Sequence, residues 1–372
     1  MRVAGVSLRD FRSYPRADVR LGEELTVVTG RNGAGKTNLL EAIYVGCTGR
    51  SCRTASDREL VRFGARVGRV ELIARSDDGE HTVSVGIEPG ERRRVRVDGV
   101  SVERLVDVEA RPLAAVFMPD RLELVKGPPA VRRAHLDQVV AALWPARVEA
   151  RRAYARALAQ RNALLGRVRA GAAPRESLGA WDLELARHGV ALAADRASAV
   201  EQLSQRFGEA GAALGLDGSP ELAYRPRSRA TGAEELAAEL AERLPTDLER
   251  GFTGHGPHRD DLLLAREGRE LRVYGSQGQQ RLALLALLLA EREAIAAVRA
   301  SAPLVLLDDV MSELDGERRE RLVARLEGGQ AVITSTDLSH VPGADAAGVT
   351  RIAVVDGAAS AEPEPISAVV GA

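Results

Sequence analysis

One stretch decides the fold of this chain, Gly30-Arg31-Asn32-Gly33-Ala34-Gly35-Lys36-Thr37. It matches the phosphate-binding pattern G-x-x-x-x-G-K-[ST], in which glycines allow backbone N–H groups to curl around phosphate. Residues 24–29 before it have the composition of a short buried strand, and residues 38–44 after it place apolar side chains on one face of a helix. A strand, a glycine loop and a helix in this order predict a phosphate site at a helix N-terminus.

The residue types in this loop predict how it holds ATP. We expect Lys36 to reach the β- and γ-phosphates and the Thr37 hydroxyl to hold Mg²⁺. Two of the 52 basic residues are lysines, Lys36 and Lys126, and the others are arginines, yet a compact ammonium stands in this loop. The other nucleotide contacts are expected from Gly30, Arg31, Asn32, Gly33, Ala34, Gly35 and Asn38.

Composition limits the class of protein. With 372 residues and a hydrophobic content of 45%, the chain is long enough for about two domains, and an aromatic content of 3% predicts an aliphatic core. The formal net charge of −1 argues against a uniformly basic nucleic-acid binder, so any polyanion site must be clustered. Cys47 and Cys52 fit neither a disulfide framework nor a zinc site. No leader or membrane span is recognisable, and we expect a soluble cytoplasmic protein.

Outward from the loop, the hydrophobic pattern changes between strand and helix periods. Alternating apolar residues predict two strands within 1–29, whereas residues 130–169 and 177–214 have the pattern of two long helices joined as an antiparallel hairpin. The other predicted elements are a meander of strands at 67–73, 81–87 and 93–97, a buried strand at 113–117 stopped by Met118-Pro119, a helix at 233–244, a hairpin at 261–265 and 270–274, a helix at 281–299, and strands at 304–307 and 330–334.

These elements predict an α/β fold with a mixed sheet, an antiparallel meander and an inserted helical lobe. The expected division is an ATP-binding lobe at 1–127 and 282–357, a mainly helical lobe at 128–281 and a disordered tail at 358–372.

A second constellation lies where an aliphatic strand, 304–307, ends in Asp308-Asp309. A buried parallel strand delivers such carboxylates to the sheet edge at which ligands of these folds bind. Asp308 is expected to hold Mg²⁺, and Asp309 is the expected catalytic carboxylate that orients water onto the γ-phosphate.

Another stretch, Tyr274-Gly275-Ser276-Gln277-Gly278-Gln279-Gln280, opens a predicted helix. A hydroxyl residue and a glycine at a helix N-terminus form a second anion-binding end. The chain therefore has two predicted phosphate-binding ends.

Together these stretches resemble the ATPase heads of the ABC superfamily, and Ser312-Glu313-Leu314-Asp315 looks like the D-loop of that superfamily. The opening Leu8-Arg9-Asp10-Phe11-Arg12-Ser13-Tyr14 is similar to the first strand of SMC, Rad50 and RecF heads. Four further stretches are similar to the RecF family in the same order, at residues 49–54, 124–127, 256–261 and 276–281. The helical insertion is far too short for the coiled coils of SMC or Rad50.

The resemblance to RecF implies bacterial recombinational repair. It implies an ATP-dependent homodimer that binds gapped DNA at single-strand/double-strand junctions and works with RecR and RecO to place RecA. It also implies that Ser276, Gly278 and Gln279 act on the nucleotide of the other subunit, Ser276 in catalysis, and that Arg12 lies beside the nucleotide.

Departures from the wider superfamily bear on turnover. Asp309 is one methylene shorter than the usual Glu, Thr334-Ser335-Thr336-Asp337 stands where a switch His is common, and no Q-loop glutamine follows Phe117. These differences favour slow hydrolysis. Two other readings stay open: the engine of a transporter, and a nucleotide-dependent scaffold with negligible turnover.

Two arginine clusters are candidates for DNA contact, although charge runs are more often solvated faces. They are Arg92, Arg93, Arg94 and Arg96, and Arg50, Arg53, Arg58, Arg62 and Arg66. His258 beside Asp260 and Asp261 also invites a metal reading, which we reject because one His with vicinal acids is ordinary loop chemistry.

Overall fold

The structure is a computed structural model that describes residues 1–105, 108, 111–118 and 122–361. The chain forms two compact units. The first unit contains Met1–Arg121, Ala213–Gly215 and Ile295–Ala372, and the second contains Leu122–Ala212 and Leu216–Ala294. In sequence, the second unit begins at 122 and ends at 294, compared with 128 and 281 in the expected division.

The elements follow one another along the chain as an alternation of strand-rich and helix-rich parts. The strands are β1 (Arg2–Phe11), β2 (Tyr14–Arg20), β3 (Leu25–Thr29), β4 (Gly68–Ser76), β5 (Gly79–Ile87), β6 (Arg94–Val97), β7 (Val100–Val102), β8 (Ala114–Phe117), β9 (Pro220–Arg225), β10 (Asp261–Arg266), β11 (Arg269–Glu270), β12 (Leu304–Leu307), β13 (Ala331–Ser335), β14 (Thr350–Val355) and β15 (Ala358–Ala361). The α-helices are α1 (Lys36–Thr48), α2 (Asp57–Leu60), α3 (Glu123–Lys126), α4 (Pro129–Leu143), α5 (Val148–Arg169), α6 (Leu178–Ala213), α7 (Ala233–Glu242), α8 (Leu244–Arg250), α9 (Leu271–Tyr274), α10 (Gln277–Arg299) and α11 (Gly316–Ala324).

Within the described residues, two six-stranded sheets form the framework of the first unit. One is antiparallel with the order β2-β1-β4-β5-β6-β7, which confirms the predicted strand pair and meander. The other has the order β15-β14-β3-β13-β12-β8 and is parallel except for β15. Because parallel strands end at one edge, the loop after β3 and the acids after β12 lie at the same edge.

Helix α1 packs against strands of both sheets. Its apolar side chains, including Leu40 and Ile43, are fully buried with the branched residues of β4 and β5. Gly46 is required inside this helix because a Cβ atom there would lie 2.3 Å from Cγ of Leu72. Burial of each large aliphatic side chain contributes about 1.5–3 kcal/mol, so this aliphatic core fixes the helix that begins at the phosphate loop.

The second unit is mainly helical, and α5 and α6 are antiparallel. Arg147, just before α5, contacts Asp195 in the middle of α6 at 3.2 Å, while Arg161 further along α5 contacts Asp182 near the start of α6 at 2.6 Å. Apolar residues of α5, α6 and α7 form a common cluster around Tyr154. This confirms the predicted helical hairpin.

Four details of the predicted elements were wrong. The helical stretch 130–169 is interrupted at Trp144, where Pro145 cannot continue the i→i−4 bonds, and a 3₁₀ turn separates α4 from α5. Residues 271–274 form the helical turn α9 instead of a strand, and β10 pairs with the unpredicted β9. The helix expected from 281 begins at Gln277.

The remaining correction concerns the expected tail. Residues 358–361 form β15, which pairs with β14, so the segment expected to be disordered begins with a strand. The rest of that segment, and Pro119 of the predicted strand stop, lie outside the described residues.

Candidate nucleotide site

The phosphate loop runs from the end of β3 to the start of α1, as its sequence predicts. Gly30 has a φ of 155°, and a Cβ atom there would lie 2.4 Å from the carbonyl oxygen of Val354. Gly35 has a φ of 118°, and a Cβ atom there would lie 3.0 Å from Oγ of Ser13. Both positions demand glycine, because the backbone is in the left-handed region and its neighbours leave no room for a side chain.

Lys36 closes this loop on itself. Its ammonium donates hydrogen bonds to the carbonyl oxygens of Gly30 at 2.7 Å and Arg31 at 3.2 Å, and the residue is 6% exposed. The hydroxyl of Tyr14 donates to the carbonyl of Gly35 at 3.0 Å. At the tip of the loop three residues are exposed while Ala34 is buried, and the exposed ones are Arg31, Asn32 and Gly33.

The structure places Thr37 against Asp308. The Thr37 hydroxyl lies 3.0 Å from Oδ1 and 2.9 Å from Oδ2 of the carboxylate. The Thr334 hydroxyl at the end of β13 also donates to Oδ1, at 2.8 Å, and accepts the backbone N–H of Asp309 at 2.9 Å. Residues distant in sequence are therefore joined at the edge where β12 and β13 end.

These oxygen donors fit Mg²⁺. Burial raises the pKa of Asp308, although hydrogen bonds from Thr334 and Thr37 act in the opposite direction. A bound cation would stabilise this buried carboxylate, and a hydroxyl with one carboxylate is the small protein share that Mg²⁺ needs beside phosphates and water. In the part of the chain that the structure describes, no group of three or more His, Cys, Asp or Glu side chains forms an all-protein metal site.

Asp309 has the geometry of a constrained acid. Its φ of 47° lies in the left-handed region, which non-glycine residues rarely adopt. Its Oδ1 atom is buried without a hydrogen-bond partner among the described residues. Strained backbone and an unsatisfied carboxylate oxygen cluster at functional sites, and both occur here beside Asp308.

Behind the loop, Arg12 forms an ion pair that the sequence interpretation did not include. Its guanidinium donates to both carboxylate oxygens of Glu41 on α1, at 2.8 and 2.9 Å. Arg53 reaches the same carboxylate at 3.3 Å and Oδ1 of Asn38 at 3.2 Å. Glu41 could have been found from the sequence, because an acid on the buried face of a predicted helix requires an ion-pair or hydrogen-bond partner.

The helix that follows Gly275 begins with a reciprocal cap. Oγ of Ser276 accepts the backbone N–H of Gln279 at 3.2 Å, and Oε1 of Gln279 accepts the backbone N–H of Ser276 at 2.8 Å. Ser276 and Gly278 are exposed, whereas Gln280 is buried and donates to the carbonyl of Leu271. These residues belong to the second unit, and the phosphate loop and Asp308 belong to the first.

His258 is engaged on both ring nitrogens. The hydroxyl of Tyr154 lies 2.7 Å from Nδ1, and the carbonyl of Thr253 lies 2.9 Å from Nε2. Burial lowers the pKa of His258 to about 4, so the ring is neutral near pH 7. These two hydrogen bonds make the partly buried His258 side chain a structural group of the second unit.

No helix among the described residues has the length and apolarity to cross a membrane.

The RecF/RecN/SMC N-terminal domain family model matches residues 2–354. The chain is 42% identical to the DNA replication and repair protein RecF of Anaeromyxobacter sp. (strain Fw109-5), over 91% of this chain and 93% of that protein. It is 39% identical to the RecF of Myxococcus xanthus (strain DK1622), over 98% of this chain and 100% of that protein.

Solved structures are similar to this chain as well, and they include a RecF protein. The recombination mediator protein RecF-ATP of the RecFOR pathway superposes with a TM-score of 0.88 and 29% identity, over 97% of this chain and 98% of that one. An SMC head bound to the winged-helix domain of ScpA has a TM-score of 0.59 and 18% identity, which shows the fold alone. The chain therefore belongs to the RecF family of DNA replication and repair proteins, which are ATP-binding ABC-type ATPases with the SMC head fold.

Proposed function

We propose that this protein is an ATP-dependent DNA clamp of recombinational repair. It binds gapped DNA at single-strand/double-strand junctions as an ATP-induced dimer, and slow hydrolysis releases it. The observation that carries this proposal is the contact of Thr37 with both carboxylate oxygens of Asp308, beside Lys36. This arrangement brings together the groups that an ABC-type ATPase needs for ATP and Mg²⁺.

In this proposal each residue has one role. When ATP binds, the Lys36 ammonium exchanges its hydrogen bonds to the carbonyl oxygens of Gly30 and Arg31 for contacts with the β- and γ-phosphates. Thr37 and Asp308 would hold Mg²⁺, which supplies charge neutralisation on the phosphates. Asp309 orients the attacking water, and Thr334 holds its backbone in place. The short Asp309 side chain and the hydroxyl in place of a switch His favour slow turnover.

The proposed dimer depends on the residues at the start of α10. Ser276, Gly278 and Gln279 of one copy would complete the nucleotide site of a second copy. The exposure of Ser276 and Gly278 at the N-terminus of α10 supports this role, because a helix N-terminus offers N–H groups and partial positive charge to an anion. Binding would require the Ser276–Gln279 cap to exchange its hydrogen bonds for phosphate.

The biological setting is supported by the relatives. The curated relatives are named DNA replication and repair proteins, and the similar ATP-bound structure is described as a recombination mediator of the RecFOR pathway. We therefore propose DNA, RecR and RecO as partners, with RecA placed on gapped DNA as the outcome.

The test is ATP turnover and DNA binding with and without a gapped duplex. The clamp predicts slow turnover that depends on gapped DNA, together with ATP-dependent binding. Lys36→Met is the control: loss of a charge-assisted phosphate contact lowers ATP affinity at least about tenfold. Turnover that ignores DNA would favour the transporter reading, and DNA binding without turnover would favour the scaffold.

A further inference from the structure

The residue Phe63 stands out from the other phenylalanines of the first unit. Its side chain is 99% exposed, whereas Phe11 and Phe117 are almost completely buried. Aromatic residues make up only 3% of the chain, and among the described residues this ring is a large apolar group left in solvent. We call residues 62–66 the Phe63 loop.

Hydrogen bonds hold the Phe63 loop at both of its ends. The backbone N–H of Arg62 donates to the carbonyl of Asp10 at 2.8 Å, and Nε of Arg62 donates to Oδ1 of Asp10 at 2.6 Å. The N–H of Ala65 closes the turn on the carbonyl of Arg62 at 2.9 Å, with Gly64 at a φ of 85°. Buried Leu60 and Val61 anchor the entry. The ring is therefore projected by a fixed turn, which lowers the entropy cost of using it in binding.

The same turn is tied to the nucleotide site. The backbone N–H of Arg12 donates to the carbonyl of Leu60 at 2.8 Å, and the Arg12 side chain pairs with Glu41 on α1. Arg12, in the turn between β1 and β2, therefore contacts both the segment that leads into the Phe63 loop and helix α1, which begins at the phosphate loop.

The surroundings of the ring in sequence are basic. Residues 50–66 contain five arginines against Asp57 and Glu59, although the whole chain has a net charge of −1. Arg50 and Arg58 are exposed and have no ion pair within the described residues. A cleft of about 600 Å³ is lined by Arg50, Arg53 and Arg93 in the same unit.

We propose that Phe63 stacks on an unpaired base where single-stranded DNA leaves the duplex, while the neighbouring arginines contact phosphates. This rests on the DNA-clamp function proposed above. Stacking on an exposed ring beside a basic groove is how proteins hold single strands without reading sequence. A protein partner is the alternative occupant, and the dimerisation of Phe63→Ala without DNA separates it from an unpaired base.

The test uses a tailed duplex with 2-aminopurine at the first unpaired position, and a blunt duplex of the same sequence, both with ATP. Phe63→Ala should lower affinity for the tailed duplex about 5- to 100-fold, abolish quenching of 2-aminopurine and leave blunt-duplex affinity unchanged. Its salt dependence should keep the wild-type slope, because no phosphate contact is removed. Phe63→Trp should retain binding and quenching.

Two controls are matched to this change. Val100→Ala removes another exposed apolar side chain, 66% exposed, and should alter neither affinity nor quenching. Arg58→Ala should weaken both DNAs and make the salt slope shallower by about 0.7 to 0.9.

The outcomes separate the stacking role from the clamp function. Wild-type binding of the tailed duplex by Phe63→Ala would overturn the stacking role and leave the clamp intact. Failure of the wild-type protein to bind either DNA with ATP would overturn both. Loss of ATP-dependent dimer in Phe63→Ala without DNA, at an unchanged thermal unfolding midpoint, would show a protein contact and overturn the stacking role.

Discussion

At the scale of single residues, Thr334 links two acids that have different roles in the proposed mechanism. Its hydroxyl donates to Asp308 and accepts the backbone N–H of Asp309. Asp308 is surrounded by hydroxyls, whereas Oδ1 of Asp309 has no hydrogen-bond partner among the residues described. The two adjacent carboxylates therefore have distinct environments, and their substitutions should have distinct effects.

For Asp309→Asn we expect ATP to bind and stay uncleaved. The substitution keeps the shape of the side chain but removes the charge that activates water, an effect of about 10²- to 10⁴-fold on hydrolysis. The variant should accumulate as an ATP-bound dimer with a longer residence time on DNA. Single-turnover hydrolysis and DNA dissociation measure this, and cleavage at the wild-type rate would show that another group orients the water.

For Asp308→Asn we expect loss of Mg²⁺-dependent ATP binding. The amide removes the negative charge that the Thr37 and Thr334 hydroxyls surround. Without that charge the stable ATP dimer should not form. Equilibrium binding of ATP with and without Mg²⁺ checks this, and a stable Mg²⁺-dependent dimer would exchange the roles assigned to the two acids.

At the scale of elements, the N-terminus of α10 should be decisive for assembly. Ser276→Arg places a long cation at the exposed cap and removes the hydroxyl that accepts the N–H of Gln279. Loss of such a cap costs about 0.5–2 kcal/mol, which leaves the fold intact. We expect retained ATP binding and no ATP dimer by sedimentation. A variant that still dimerises with ATP would contradict completion of the site by a second copy.

We expect the second unit to lose stability in acid because of His258. Its pKa in the folded protein, about 4, is below the ordinary value of 6.5, so the unfolded chain binds more protons between these pH values. Stability should therefore fall by about 2–3 kcal/mol as pH decreases from 6.5 to 4. Urea unfolding across this range measures the effect. The His258→Gln variant has no titrating group at this position, so its stability should fall less between pH 6.5 and 4. If its stability falls as much as that of the wild-type protein, another group causes the pH dependence.

At the scale of the whole molecule, the salt dependence of DNA binding should differ between the protein with ATP and the protein with ADP. If two copies close with ATP, their arginine-rich segments add phosphate contacts, and log K falls with log[salt] at a slope of about −0.9 per contact on duplex DNA. We expect a steeper slope with ATP than with ADP. Binding curves across a salt series measure it, with Lys36→Met as the control that should give one slope. Equal slopes for the wild-type protein would remove the electrostatic basis of the clamp.

The sequence predicted most individual helices and strands. It predicted less well which strands pair with one another. The helix break at Trp144-Pro145 was readable, because proline cannot continue a helix, yet the apolar period on both sides concealed it. Strand β9 was missed because it pairs with β10 across a long stretch of chain. The predicted hairpin forms only at its turn, where β10 pairs with the two-residue β11, and residues 271–274 continue as α9. Such pairing depends on tertiary contacts more than on local propensity.

By itself, the sequence determined the phosphate loop, the strand and helix around it, and the acids at the end of β12. These depend on spacing within short stretches, and a glycine loop between a strand and a helix has few alternative conformations. Only the tertiary structure decided that Thr37, Asp308 and Thr334 meet, that Arg12 pairs with Glu41, and that the Phe63 ring is left in solvent. Those results arise from contacts between residues distant in sequence, whose free energies depend on the packing of the complete unit.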